Sequence, residues 1–302
     1  MTNKSLWKAF VWMAGGSVCL TLVDFFMKLI ALEGVHPATA FFYATPLSLL
    51  IIYFLAGRSG GVKHHLVNAV PWAVLVRGGL MMSVSYLNFI GMMHNPYSQQ
   101  VMIFQLSPIL SGFLALLLLR EGVGKHHLGV MALCLLGTWL VIDPRFGAGS
   151  WYLLLPLGAA ISNAFVNVFV AANRDKATAL GYTFYGMLLV AVVSGVIHFS
   201  WQLPSPDWKA LLYCQLIGGL GVLGLASVTQ AIQLAGEQGQ TGKVALMYYV
   251  QMPVALVLGY FALQEVASNA ALLGAVLILV AGISLPLRSG VQAVRAKRNQ
   301  AD

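Results

Sequence analysis

The chain has 302 residues, of which 59% are hydrophobic and 9% charged, with a mean hydropathy of +0.81. Soluble domains carry about 25% charged residues, so the composition excludes an ordinary soluble domain and points to a membrane protein. The formal net charge of +8 does not mark a nucleic-acid binder, because the basic residues stand singly or in small groups between apolar runs, as topology determinants do.

The first apolar run covers residues 8–31. Lys4 and Lys8 resemble a signal-peptide n-region and Ala9 to Val23 an h-region, but Asp24 and Lys28 follow without a small-residue cleavage site. The run is therefore read as a retained first spanning helix. A spanning helix needs roughly 20 apolar residues, and nine further runs qualify: 37–56, 71–93, 97–119, 126–142, 150–172, 179–200, 208–235, 240–263 and 267–287. Short polar stretches such as "GRSGGVKHH", "HNPYSQ", "WQLPSPDW" and "GEQGQTGK" separate them, which forces neighbouring spans to run antiparallel. None alternates as the strands of a membrane barrel do. The expected fold is an all-α polytopic membrane protein with ten transmembrane helices. With the N-terminus in the cytoplasm, only Arg145 and Lys209 among the loop Lys and Arg residues fall outside, so both termini are expected to be cytoplasmic. The basic end "RSGVQAVRAKRNQAD" reads as a solvated tail that fixes the last helix.

The two halves resemble each other. "RGGL" at 77–80 has a counterpart in "IGGL" at 217–220, "SPILSGFLALLLLRE" ends at Glu121 as "QMPVALVLGYFALQE" ends at Glu265, and "LGVMALCLLG" matches "LGAVLILVAG". The blocks come in the same order. Five spans per half is an odd number, so the second half enters the membrane from the opposite side, giving two inverted five-helix repeats. They cover residues 1–145 and 146–288, followed by a cytoplasmic tail at 289–302. On these features the chain resembles the EamA type of the drug/metabolite transporter superfamily. That resemblance implies a secondary transporter of the bacterial inner membrane, with a substrate cavity between the halves near the midplane. Many such proteins export amino acids or related metabolites, and some take metabolites up.

Polar residues inside the spans are the candidate site. Ser17, Thr21, Asp24 and Lys28 follow an i, i+4, i+7, i+11 spacing and share one helix face. A charge at the bilayer centre costs roughly 2.5–3.5 kcal/mol on insertion scales, so this face is expected to look into a cavity or onto a partner helix. Asp24 and Lys28 are alternatively a structural ion pair, and Lys28 is near enough to the outer end to snorkel. A shift of 139 residues places Asn163 on Asp24 and Asn167 on Lys28, and these amides can bind a polar substrate or join helices. Arg77 is either an interfacial snorkelling residue, a carboxylate anchor or a partner for Asp24. Asn88, Gln105, Gln230, Tyr248 and Gln251 complete the candidate lining, since polar groups facing lipid are costly. His64–His65 and His126–His127 read as solvated loop residues. Pro108 and Pro253 are expected to let the fourth and ninth spans bend.

Cys19, Cys134 and Cys214 lie in apolar runs without CxxC spacing, and no metal site, cofactor or disulfide framework is expected. No HExxH, GxSxG or nucleophile–base pair is readable, so an enzyme is not expected. The expected function is alternating-access transport of a small polar metabolite, first of all export of amino acids or amino-acid-derived compounds, opine-type metal chelators included. The alternative is uptake of a nucleoside-like or carboxylate metabolite. The expected partners are the lipid bilayer, the substrate and a coupling proton, for which Asp24 is the candidate carrier; no nucleic acid is expected.

Overall fold

The computed structural model describes residues 3–120, 125–141 and 151–265, with scattered positions within 269–281. Much of the tenth run, the tail, Glu121, Arg145 and the side chains of His126, His127 and Cys134 lie outside the described residues.

The described chain is all-helical, without a strand. It runs α1 (Asn3–Leu32), α2 (Pro37–Arg58), α3 (Pro71–His94), α4 (Tyr97–Phe104), α5 (Ser107–Leu118), α6 (Lys125–Val141), α7 (Leu154–Ala172), α8 (Ala179–Ser200), α9 (Trp208–Glu237), α10 (Thr241–Ala245) and α11 (Gln251–Leu263). Among the described residues eight stretches are long and apolar enough to cross a membrane, including Tyr97–Leu118, which joins α4 and α5, and Thr241–Leu263, which joins α10 and α11 through a 3-10 stretch. Expected and observed ends agree to within a few residues, because each run is closed by a residue with a local reason to stop or start a helix. Pro37 and Pro71 open α2 and α3, positions where a missing N–H has no helical partner to lose. Asp207 caps α9 by accepting from Ala210 N at 2.8 Å, and Thr178 caps α8 through Gly181 N.

The fourth span breaks at Gln105–Leu106 and restarts at Ser107. The ninth passes through a 3-10 stretch at Leu246–Val250 before α11 begins. Each irregularity ends just before a proline, Pro108 or Pro253. A proline ring clashes with the carbonyl four residues earlier and offers no N–H, so both spans deviate where expected.

Packing is reciprocal. The first span packs against α9 and α7 packs against α3; α2 contacts α8 and α9, while α8 contacts α3. Small residues permit the close approaches. A Cβ on Gly16 would lie 2.9 Å from the Gly224 carbonyl, and one on Gly218 would overlap the Ala44 carbonyl. Close backbone approach of this kind drives helix association where lipid supplies no hydrophobic force between helices. The outer surface presents large apolar side chains such as Val196 and Phe261, and Trp7, Trp72, Trp201 and Trp208 stand exposed at helix ends, where interfacial aromatics sit.

Gly218→Ala is expected to lower stability by about 1–3 kcal/mol, the range for overpacking, read as a drop in the thermal midpoint in detergent. Gly219→Ala, whose Cβ meets only Ile51 at 3.9 Å, leaves the midpoint unchanged.

Candidate functional site

The polar face of α1 is buried throughout: Ser17, Thr21, Asp24 and Lys28 are all enclosed. Thr21 returns its hydroxyl hydrogen bond to the Ser17 carbonyl at 2.9 Å. Of the four, Asp24 lines a cavity between the helices. That cavity has a volume of about 100 Å³, enough for several waters. Asp24, Arg77, Asn88, Asn163 and Tyr248 bring charge and hydrogen-bonding groups to its wall, with Thr45, Ser48 and Ser85. Val23, Met27, Phe41, Met81 and Phe104 are among its apolar lining residues. Residues before and after position 150 both contribute. A recess of about 10 Å³ shares Arg77, Asn163 and Tyr248 and adds Asn167 and Thr229.

Asp24 Oδ1 accepts a hydrogen bond from Asn88 Nδ2 at 2.7 Å. Lys28 does not pair with it and does not snorkel. Its Nζ donates to the carbonyls of Met92 and Asn95, both at 2.8 Å, at the end of α3. The terminal carbonyls of a helix lack intrahelical donors, and a cation there meets both that need and the negative end of the helix dipole. Lys28 is thus a C-terminal cap from a neighbouring helix.

Arg77 is fully buried rather than interfacial, with no carboxylate partner among the described residues. Its guanidinium donates to the Tyr182 carbonyl at 2.9 Å and to Thr229 Oγ1 at 3.1 Å, while Nε has no partner. Gly186 makes the room, since a Cβ there would lie 2.5 Å from the Arg77 nitrogen. A buried guanidinium with an open donor beside a cavity is equipped to take an anionic group.

Asn163 Nδ2 donates to Ser107 Oγ at 2.7 Å and Asn167 Nδ2 to Ser111 Oγ at 3.0 Å. The two amides therefore tie α7 to α5 as well as facing the cavity and its recess. Ser107 and Ser111 were not singled out in the sequence, although their i, i+4 spacing matches that of their partners. Gln105 and Gln251 do not line the cavity. They meet each other, Nε2 of Gln105 donating to Oε1 of Gln251 at 3.3 Å, at the bends of the fourth and ninth spans. Gln230 is half-buried and away from the cavity; its neighbour Gln233 donates to the Ala177 carbonyl at 2.7 Å. His65 is buried rather than solvated, with Nδ1 2.8 Å from Thr178 Oγ1 and Nε2 2.9 Å from the Ser59 carbonyl. It fastens the connection between α2 and α3 to the cap of α8. His64 is exposed. Glu265 spans two chain segments as well, accepting from Tyr97 N and Ser98 N, both at 2.9 Å, at the start of α4.

The described residues thus form an all-helical bundle with apolar, membrane-length spans around a charged and amide-lined cavity. Residues 7–143 match the EamA-like transporter family. An uncharacterized transporter of Synechocystis sp. is 24% identical over 279 residues, 89% of this chain and 81% of the relative. A protein of Rickettsia felis named as an S-adenosylmethionine uptake transporter is 24% identical over 241 residues, 80% of this chain and 78% of that one. A solved crystal structure shares the fold with a TM-score of 0.68 at 20% identity, over 91% of this chain and 96% of that chain. The family match over residues 7–143 and the two relatives named as transporters support an EamA-type transporter of the drug/metabolite transporter superfamily.

Lys28→Met is expected to leave two buried carbonyls without their donor and to cost about 1–3 kcal/mol. Asp24→Asn, which keeps an acceptor for Asn88, costs less. Thermal unfolding of both variants in detergent separates this from an Asp24–Lys28 ion pair, for which the two losses would be equal.

Proposed function

We propose that the protein is a secondary transporter of the bacterial inner membrane that moves a small polar metabolite by alternating access. Its ten spans form two inverted five-helix repeats, residues 1–145 and 146–288, with a basic tail at 289–302 and both termini in the cytoplasm. The reciprocal packing supports the repeat: exchanging α1 with α7, α2 with α8 and α3 with α9 turns the α1–α9 contact into the α7–α3 contact, and the α2–α9 contact into α8–α3. Asp24 and Asn163, one repeat apart, line the same cavity.

The observation that carries the reading is that cavity, which an acid and a guanidinium line together with amides and hydroxyls. An acid suits an ammonium group and an unpaired guanidinium donor suits a carboxylate, so the substrate is amino-acid-like, carrying both charges or a net negative one. Amino acids and compounds derived from them, exported, are the first reading, and Asp24 is the group that would carry a coupling proton. A second reading, uptake of a nucleoside-like metabolite, is favoured by the Rickettsia relative, whose named substrate joins a nucleoside to an amino acid.

Metabolite profiles of cells and medium, with and without the protein, test the function and give its direction. One small polar metabolite is expected to redistribute across the membrane when the native protein is made. Asp24→Asn, at equal membrane abundance, is expected to reduce that redistribution by roughly tenfold or more, the scale of one lost charged hydrogen bond. Unchanged profiles with native protein present would overturn the proposal.

A further inference from the structure

Asp24 ends a line of buried amides. Asn88 Nδ2 donates to Asp24 at 2.7 Å, Gln100 Nε2 donates to Asn88 Oδ1 at 2.9 Å, and Asn95 Nδ2 donates to Gln100 Oε1 at 3.1 Å. An isolated amide can turn over and exchange its donor for its acceptor. This line cannot do so freely, because backbone carbonyls hold it at two points. Asn95 Nδ2 also donates to the Tyr152 carbonyl at 3.0 Å, and Gln100 Nε2 also donates to the Asn88 carbonyl at 3.3 Å. A carbonyl only accepts, so each anchor fixes which end of the amide is nitrogen. The polarity propagates inward until Asn88 is left with only its NH2 group to offer Asp24. Gly91 leaves the space that Gln100 occupies, since a Cβ there would overlap the carboxamide. Asn95, Gln100 and Asn88 are all buried, and an amide left unsatisfied in that setting is costly.

We propose that Gln100, which does not line the cavity, is a positioning residue: by fixing Asn88 as a donor it holds Asp24 as an ionised acceptor, ready for a cationic group of the substrate. A protonated Asp24 would present its hydrogen to the cavity, because the Asn88 side of the carboxyl already meets a donor. The other groups around Asp24 are Lys28 one turn along α1, Arg77 on α3, Tyr97 on α4, Asn163 on α7 and Tyr248 between α10 and α11, with Glu265 beside Tyr97 and Lys28; α9 presents Ile217, Gly221 and Leu225 and no charge. None of them forms a hydrogen bond with Asp24 that would replace the one from Asn88. The proposal rests on the reading of Asp24 as the acid of the substrate cavity.

The test needs no substrate. Infrared titration of the purified protein in phosphatidylcholine liposomes follows the carboxylic-acid carbonyl band of Asp24, assigned by its absence in Asp24→Asn. In Gln100→Leu, Asn88 is free to turn its oxygen to Asp24 and accept from the acid. The pH of half-height is expected to rise by about one unit, a tenfold change in proton affinity. Gly91→Ala, which displaces the carboxamide without removing it, is expected to move the band in the same direction. An unchanged titration in a folded variant would overturn the proposal. Solid-state NMR of the native protein supplies an arm that does not depend on variant folding. A contact between the Asn88 side-chain nitrogen and the Asp24 carboxyl carbon is expected; a contact from that nitrogen to the Gln100 carboxamide carbon instead would show the opposite polarity and overturn it. If Asp24→Asn leaves metabolite redistribution unchanged while the titration shifts as expected, the substrate reading of Asp24 fails and the positioning role of Gln100 stands.

Discussion

An acid placed inside a hydrocarbon-spanning helix needs hydrogen-bond donors from neighbouring helices, since the surrounding lipid has none to give. The 2.7 Å contact from Asn88 to Asp24 meets that need, and much of the interior follows from it. Asn88 must be held by Gln100, Gln100 by Asn95, and Asn95 by the carbonyl of Tyr152 just ahead of α7. Satisfying one acid thus links α1, α3, α4 and the approach to α7 into a single polar framework. Lys28 joins the same framework one turn away, closing the end of α3 through two carbonyls.

Arg77 solves a related problem differently. Its charge is buried with one carbonyl and one hydroxyl as acceptors and with Nε unpaired. Buried charges left without a counter-charge are strongly destabilising in general, and Arg77 offsets part of that cost through its two acceptors. Asp24 is well supported on one side and open to the cavity on the other; Arg77 is under-supported and borders both the cavity and its recess. On the proposed function, the two groups together would select a molecule with opposite charges.

Eight of the ten expected spans were legible in the sequence, because bilayer thickness sets their length and Pro, Gly and capping residues mark their ends. The bends before Pro108 and Pro253 were legible for the same local reason. Partners across helices were not, because they depend on how one helix is rotated against another. Lys28 could be placed on the face of Asp24 but not against the end of α3. Gln230 and Gln233 are three residues apart, and only packing decides that Gln233 reaches the Ala177 carbonyl while Gln230 does not line the cavity of Asp24. Glu265 was marked by the repeated Pro-to-Glu block, yet its place at the start of α4 comes from tertiary contact alone. His65 was misjudged because a loop position was equated with solvent, whereas Thr178 and Ser59 enclose it.

Alternating access requires one cavity, shared by both halves, to open in turn to the two sides of the membrane. Ser85 lines that cavity and bonds only within its own helix, its hydroxyl donating to the Met81 carbonyl at 3.0 Å. With Cys19, Cys134 and Cys214 replaced, Ser85→Cys can be exposed to a membrane-impermeant thiol reagent in right-side-out and in inside-out vesicles. Alternating access predicts that the cysteine reacts from both sides. Reaction from one side only, under every condition of pH and metabolite supply, would contradict the account.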